Sequence, residues 1–146
     1  MATKTPSKSS IRKRANSIIS STLLAVILLA HPEIESFVDR LPVHEILTIT
    51  DVAAEYELSG IRLRLLLAIR VQENGGCGLE FGVGDGNASH PARRHTGDPK
   101  ASLRLQASWA AGTIKRRFNG RLDLFAQRYC PFDWETWEKN VRALIE

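Results

Sequence analysis

The residue whose type and setting best suit chemistry is Glu73. It closes the apolar run Ile61 to Val71 and is followed directly by Asn74, Gly75 and Gly76. At the end of a helix, an acid stands where the peptide dipoles disfavour its charged form. Emerging from an apolar helix, its carboxyl is also desolvated, and the two effects raise its pKa together. A carboxylic acid kept protonated near neutral pH can protonate the oxygen of a glycosidic bond. The glycines that follow allow a chain-like substrate to approach the backbone closely. The plainer reading of the same residue is a surface glutamate that ends a helix.

Two further carboxylates, Glu80 and Asp85, lie in the loop beyond. An inverting glycosidase holds a general base roughly 6.5–9.5 Å from its acid to activate water. Either residue is a candidate for that base, and each is otherwise a solvated loop acid. Phe81 and Tyr129 can stack on sugar rings or hydrogen-bond to them; the alternative is core packing for Phe81 and a buried, partnered hydroxyl for Tyr129. Trp109, Trp134 and Trp137 sit at helical spacing and read as core. His90 and His95 flank Arg93 and Arg94 and read as solvated loop. Asp85-Gly86-Asn87 is a fragment of a calcium-loop pattern whose remainder is missing. Cys77 and Cys130 form no CxxC pair and no histidine stands at zinc-like spacing, so neither a metal site nor a cofactor is expected. In an oxidising compartment the two cysteines can pair; in a reducing one they are free thiols.

The elements that must position these residues are helical. Residues 43–58 place Ile46, Ile49, Val52, Ala53 and Tyr56 on one face, with Glu45 and Asp51 outward, and Ser59-Gly60 breaks the pattern. Residues 61–73 are apolar around most of the circumference, which predicts a central buried helix, stopped by Asn74-Gly75-Gly76. Residues 75–99 are glycine-rich with little periodicity, a long loop of the kind that tends to carry function. Helices are expected at about 100–118, 121–129 and 134–145, the last capped by Asp133. The fold expected is therefore all-α, with one long loop inserted after its most buried helix. The segment DVAAEYELSGIRLRLLLAI also has the helix, turn and helix of a DNA-binding motif, but its second helix offers base edges only arginines on a leucine-rich cylinder.

Charge is unevenly placed. Of a formal +4, five positive charges fall on Lys4, Lys8, Arg12, Lys13 and Arg14, and no acid precedes Glu33, so the chain after residue 30 carries −1. A nucleic-acid binder is not expected from that balance. Clusters such as Arg62, Arg64 and Arg70, or Lys115 to Arg117, read as solvated helix faces. Residues 1–32 divide into a disordered basic start and an uncharged, increasingly apolar stretch from Ala15 to Pro32. That is the pattern of a secretion signal or weak membrane anchor, placing the protein in the periplasm or cell envelope; the alternative is an amphipathic helix packed on the domain. The domain proper is expected over residues 41–146.

The run LLLAIRVQENGGCGLEFGV (65–83) resembles the centre of the lysozyme-like superfamily of peptidoglycan glycan-strand hydrolases. Soluble lytic transglycosylases have a similar helix, with leucine-alanine-isoleucine ahead of the catalytic glutamate. The glucosaminidase branch follows that glutamate with Ser-Gly-Trp-Gly and then Phe-Gly-Ile, where this chain has Asn74-Gly75-Gly76, Gly78 and Phe81-Gly82-Val83. Both branches carry a tyrosine after a short helix near the C-terminus, matched by Tyr129 in RLDLFAQRYCP. The resemblance spans roughly residues 43–146 and is nearest to phage-borne or prophage-borne versions, such as endolysins or virion lysins. It implies a lysozyme-like fold, Glu73 as catalytic acid, and Asn74, Phe81, Gly82 and Tyr129 along the glycan site. If neither Glu80 nor Asp85 serves as base, the resemblance to transglycosylases implies that the sugar's own hydroxyl closes on the anomeric carbon and that Glu73 acts alone, first as acid and then as base. It also implies a monomer whose partner is peptidoglycan, with membrane contact limited to residues 15–32. The chain departs from the family in the serine replaced by Asn74, in the aromatic replaced by Gly76, and in lacking a Gly-Leu-Met-Gln motif. A lysozyme-like domain that only binds glycan, or that serves as a virion part, is the alternative.

Overall fold

The computed structural model describes residues 21–146, and within them the chain is helical with no strand. The basic start and the first residues of the apolar leader, 1–20, lie outside the described residues. Helix α1 covers 21–30, followed by a 3-10 segment Pro32–Phe37. Then come α2 (Val43–Glu55), α3 (Ile61–Glu73), a 3-10 turn Pro91–Arg93, α4 (Pro99–Arg117), α5 (Leu122–Tyr129) and α6 (Trp134–Ile145).

Helix α3 is the axis of the fold. It touches α2, α4, α6 and the Pro32–Phe37 segment, and Leu63, Leu65, Leu66, Leu67, Ala68, Ile69 and Arg70 are all buried. A helix apolar on every side finds its lowest free energy with neighbours on every side. From Leu63 to Arg70 every residue but Arg64 is buried, while Ile61 and Arg62 at the start of the helix are exposed. The core extends to residues before position 41: Ile34 and Phe37 are fully buried, and Leu24 of α1 belongs to the same cluster. Helix α1 lays Leu24, Ile27 and Leu28 against that core, and no helix among the described residues is long and apolar enough to cross a membrane.

The helix ends follow local chemistry. Asp98 accepts the N–H groups of Lys100 and Ala101 and so starts α4. Asp133 precedes α6 but its side chain makes no capping bond, unlike the expectation for it. Asn74 ends α3 in the left-handed region, φ 43°, a conformation asparagine tolerates better than most residues.

Two charges expected on solvated faces are inside. Arg70 is buried, and its Nε and Nη2 donate to the two carboxylate oxygens of Glu45 at 2.8 and 3.0 Å. The side chains are only 10% and 13% exposed, and the third guanidinium nitrogen, Nη1, has no partner among the described residues. Removing one member leaves an uncompensated buried charge. Glu45→Ala therefore costs on the order of 3 kcal/mol in urea or thermal unfolding, and adding Arg70→Met to it restores much of that loss.

Candidate active site

The irregular segment after α3 is folded by polar contacts rather than by regular structure. Successive tight turns close it, among them Leu79 N–H to Gly76 O, Gly82 N–H to Leu79 O, Asp85 N–H to Gly82 O and His90 N–H to Asn87 O. Gln106 of α4, fully buried, serves as its hub. Its Oε1 accepts from Phe81 N–H and Val83 N–H, and its Nε2 donates to the carbonyls of Gly78, Val83 and Ala92. One glutamine side chain thus satisfies backbone groups that the loop cannot pair internally. Ser102, also on α4, accepts from Gly78 N–H at 2.7 Å and donates to Glu80 at 3.0 Å.

The loop so fixed forms one wall of a cleft of about 770 Å³ whose lining includes Glu73, Gly82, Asp85, Arg117, Tyr129 and Phe132. Glu73 sits at the end of α3 with one carboxyl oxygen, Oε1, accepting from the indole N–H of Trp137 at 2.7 Å. Over the other oxygen lies Gly82 at φ +67°; a Cβ there would stand 2.5 Å from Oε2. Only glycine suits that position, on both steric and backbone grounds. Burial pushes the Glu73 carboxyl above its usual range, the Trp137 hydrogen bond works against this, and the negative charge of Asp85 adds to it.

Tyr129 lies in the same cleft, with its hydroxyl donating to Phe81 O at 2.7 Å. Its ring stacks on Phe125 and leans on Trp137, with centroids 5.3 Å away in each case. Burial, and then the nearby Glu73, hold its phenol protonated well above the ordinary value. Tyr129 thereby ties α5 to the loop and braces Trp137 against the acid.

The expected site residues divide. Glu73, Asp85, Gly82 and Tyr129 meet in one cleft. Asp85 is exposed, with Oδ1 accepting from Gly86 N–H. Glu80 is elsewhere: it is buried, accepts from Gly78 N–H and Ser102, and is a structural acid of the loop instead of a second carboxylate beside Glu73. Phe81 is fully buried in the core, and only its backbone carbonyl serves the site. Asn74 is an exposed helix cap outside the cleft lining. Trp137, read as core, is buried but also holds the acid, while Trp109 is partly exposed and packs edge-on against His90. His90 is half-buried, with its ring nitrogen accepting from Ala92 N–H. Both cysteines are free. Among the described residues no three His, Cys, Asp or Glu side chains are grouped as metal ligands would be.

No family model matches the chain, and neither a curated protein nor a solved structure matches it.

This geometry bears on both stability and titration. Gln106→Ala leaves several buried loop groups without partners and destabilises the fold by about 3 kcal/mol or more, read by chemical denaturation. Glu73 titrates above the ordinary carboxyl range in carbon-detected NMR; Asp85→Asn lowers that midpoint and Trp137→Phe raises it. Because the folded state binds this proton more tightly than the unfolded chain, stability falls as pH rises from the unfolded to the folded pKa. Glu73→Gln removes that penalty, so its Tm at neutral pH exceeds that of the parent.

Proposed function

We propose that this cleft cleaves the glycan strands of peptidoglycan, with Glu73 as the general acid of a lysozyme-like domain. The observation that carries the reading is the Glu73 carboxyl itself: partly buried, raised in pKa, and open to a cleft of a size that takes sugar units. A protonated Glu73 donates to the glycosidic oxygen as the bond to the anomeric carbon breaks. The carboxylate left behind gains the full value of the Trp137 N–H, which bonds best to the charged form. The proton is thus held before the step, and its loss is stabilised during the step.

The anomeric carbon is then closed in one of two ways. Asp85, the other carboxylate in the cleft lining, activates a water and gives a hydrolysed product. Alternatively the sugar's own hydroxyl closes on the carbon, returning its proton to Glu73, and the product is an anhydro sugar one water lighter. The resemblance of residues 65–83 to lysozyme-like enzymes supports the substrate class, and the cell envelope is the corresponding place of action. The burial of α3 favours this reading over a helix-turn-helix that binds nucleic acid. No cofactor is required by either route.

Clearing of purified peptidoglycan, with masses of the released fragments, tests the reading. Glu73→Gln, still folded, loses activity by at least about 100-fold, the scale of a general acid. Asp85→Asn loses a comparable factor if water is activated, and keeps most activity if the product is anhydro. In the latter case its alkaline limb moves to lower pH, because removing the Asp85 charge lowers the Glu73 pKa. Absence of clearing by the folded parent chain overturns the enzyme reading and leaves a glycan-binding or virion part.

A further inference from the structure

The cleft that holds Glu73 and Asp85 also holds two cations. Arg117 is the last residue of α4 and Arg128 the last but one of α5, and both line the cleft together with the two acids. Both are exposed. Lys115 is matched by Glu57 and Arg121 by Asp123, whereas the side chains of Arg117 and Arg128 have no ion pair or hydrogen bond among the described residues. Arg117 is not required to offset the dipole of α4, since Lys115 and Arg116 share its last turn. With Glu73 protonated, the lining carries two positive charges against the single negative charge of Asp85. Phe132, in the same lining, is fully exposed, an uncovered ring on which the apolar face of a sugar can stack.

We propose that Arg117 and Arg128 hold carboxylates carried by the glycan strand, giving the cleft a preference for acidic over neutral strands. The inference rests on the glycan reading above and names the part of the substrate that the two arginines take. Carboxylates on such a strand are the lactyl acid of alternate sugars where it is free, and the acids of the peptide where one is attached. The planar guanidinium fork matches either of them with two parallel N–H donors. A strand charged only at every second sugar need not set a charge against Asp85. Nucleic acid, charged at every unit, does so and is the poorer occupant.

The test measures binding by Glu73→Gln, which does not consume the ligand, using calorimetry with three soluble preparations. These are peptide-bearing strands, strands freed of peptide by an amidase, and the freed strands after carbodiimide coupling to methylamine, which turns the lactyl acids into neutral amides. An acidic preparation is expected to bind about tenfold more tightly than the neutral one, with an advantage that salt reduces. An advantage kept after peptide removal assigns the lactyl acid, and one lost with the peptide assigns the peptide acids. Arg117→Gln with Arg128→Gln abolishes the advantage and leaves affinity for neutral strands within about twofold. Arg117→Lys with Arg128→Lys retains part of it, and circular dichroism of both variants matches the parent because the two side chains are exposed. The inference is overturned if acidic strands do not bind, if neutral strands bind as tightly, if the glutamine variant keeps the advantage, or if a single-stranded oligonucleotide binds more tightly than any strand. Clearing by the parent chain is read separately. Clearing without an arginine-dependent preference overturns the inference alone, and the preference without clearing overturns the enzyme reading alone.

Discussion

Arg70 meeting Glu45 is the contact on which the rest of the arrangement depends. Helix α3 is surrounded by α2, α4, α6 and the Pro32–Phe37 segment, and Arg70 is buried along with its leucines. A guanidinium in such a place is tolerable only if a carboxylate supplies matched acceptors, and Glu45 supplies both of its oxygens. With that charge neutralised α3 packs against its neighbours along most of its length, and its last residue, Glu73, is left partly buried. The depth of Glu73, and with it the proton affinity of the carboxyl, is inherited from this packing.

Much of the helical frame was legible because burial leaves a periodic trace. The expected spans 61–73 and 134–145 coincide with α3 and α6, and the spans 100–118 and 121–129 differ from α4 and α5 by a residue at one or both ends. The α2 span ran to residue 58, whereas the helix stops at Glu55 and Glu57 takes a positive φ before the break. Glu73 was legible from its place at the end of an apolar run. What was not legible was direction. Glu45 reads as outward beside its neighbours, yet it turns to a partner 25 residues on. Glu80 and Asp85 look alike in a polar loop, and only the contact with Ser102, 22 residues later, sends one of them inside. Gln106 gave no signal, since a lone glutamine on an alanine-rich helix carries no mark of the backbone groups it will meet.

The loop after α3 shows how a segment without ladder hydrogen bonds can still present a rigid wall. Its turns pair some of its backbone groups, and Ser102 and Gln106 of α4 take up those of Gly78, Phe81, Val83 and Ala92. Gly82 is then held against the Glu73 carboxyl with no room for a side chain. Precision at the acid therefore comes from a neighbouring helix and from the absence of an atom, and not from the loop's own conformational preference.

The hydrogen bond from Trp137 to Glu73 spans 64 positions of sequence. A chain released or clipped ahead of α6 lacks both the indole that holds the acid and the ring that Tyr129 leans on. The setting of Glu73 is therefore complete only with α6 packed against α3. N-terminal fragments that stop before Trp134 keep the glutamate and lose its partner, so the raised proton affinity of Glu73 is a property of the packed helices and not of the segment that bears it.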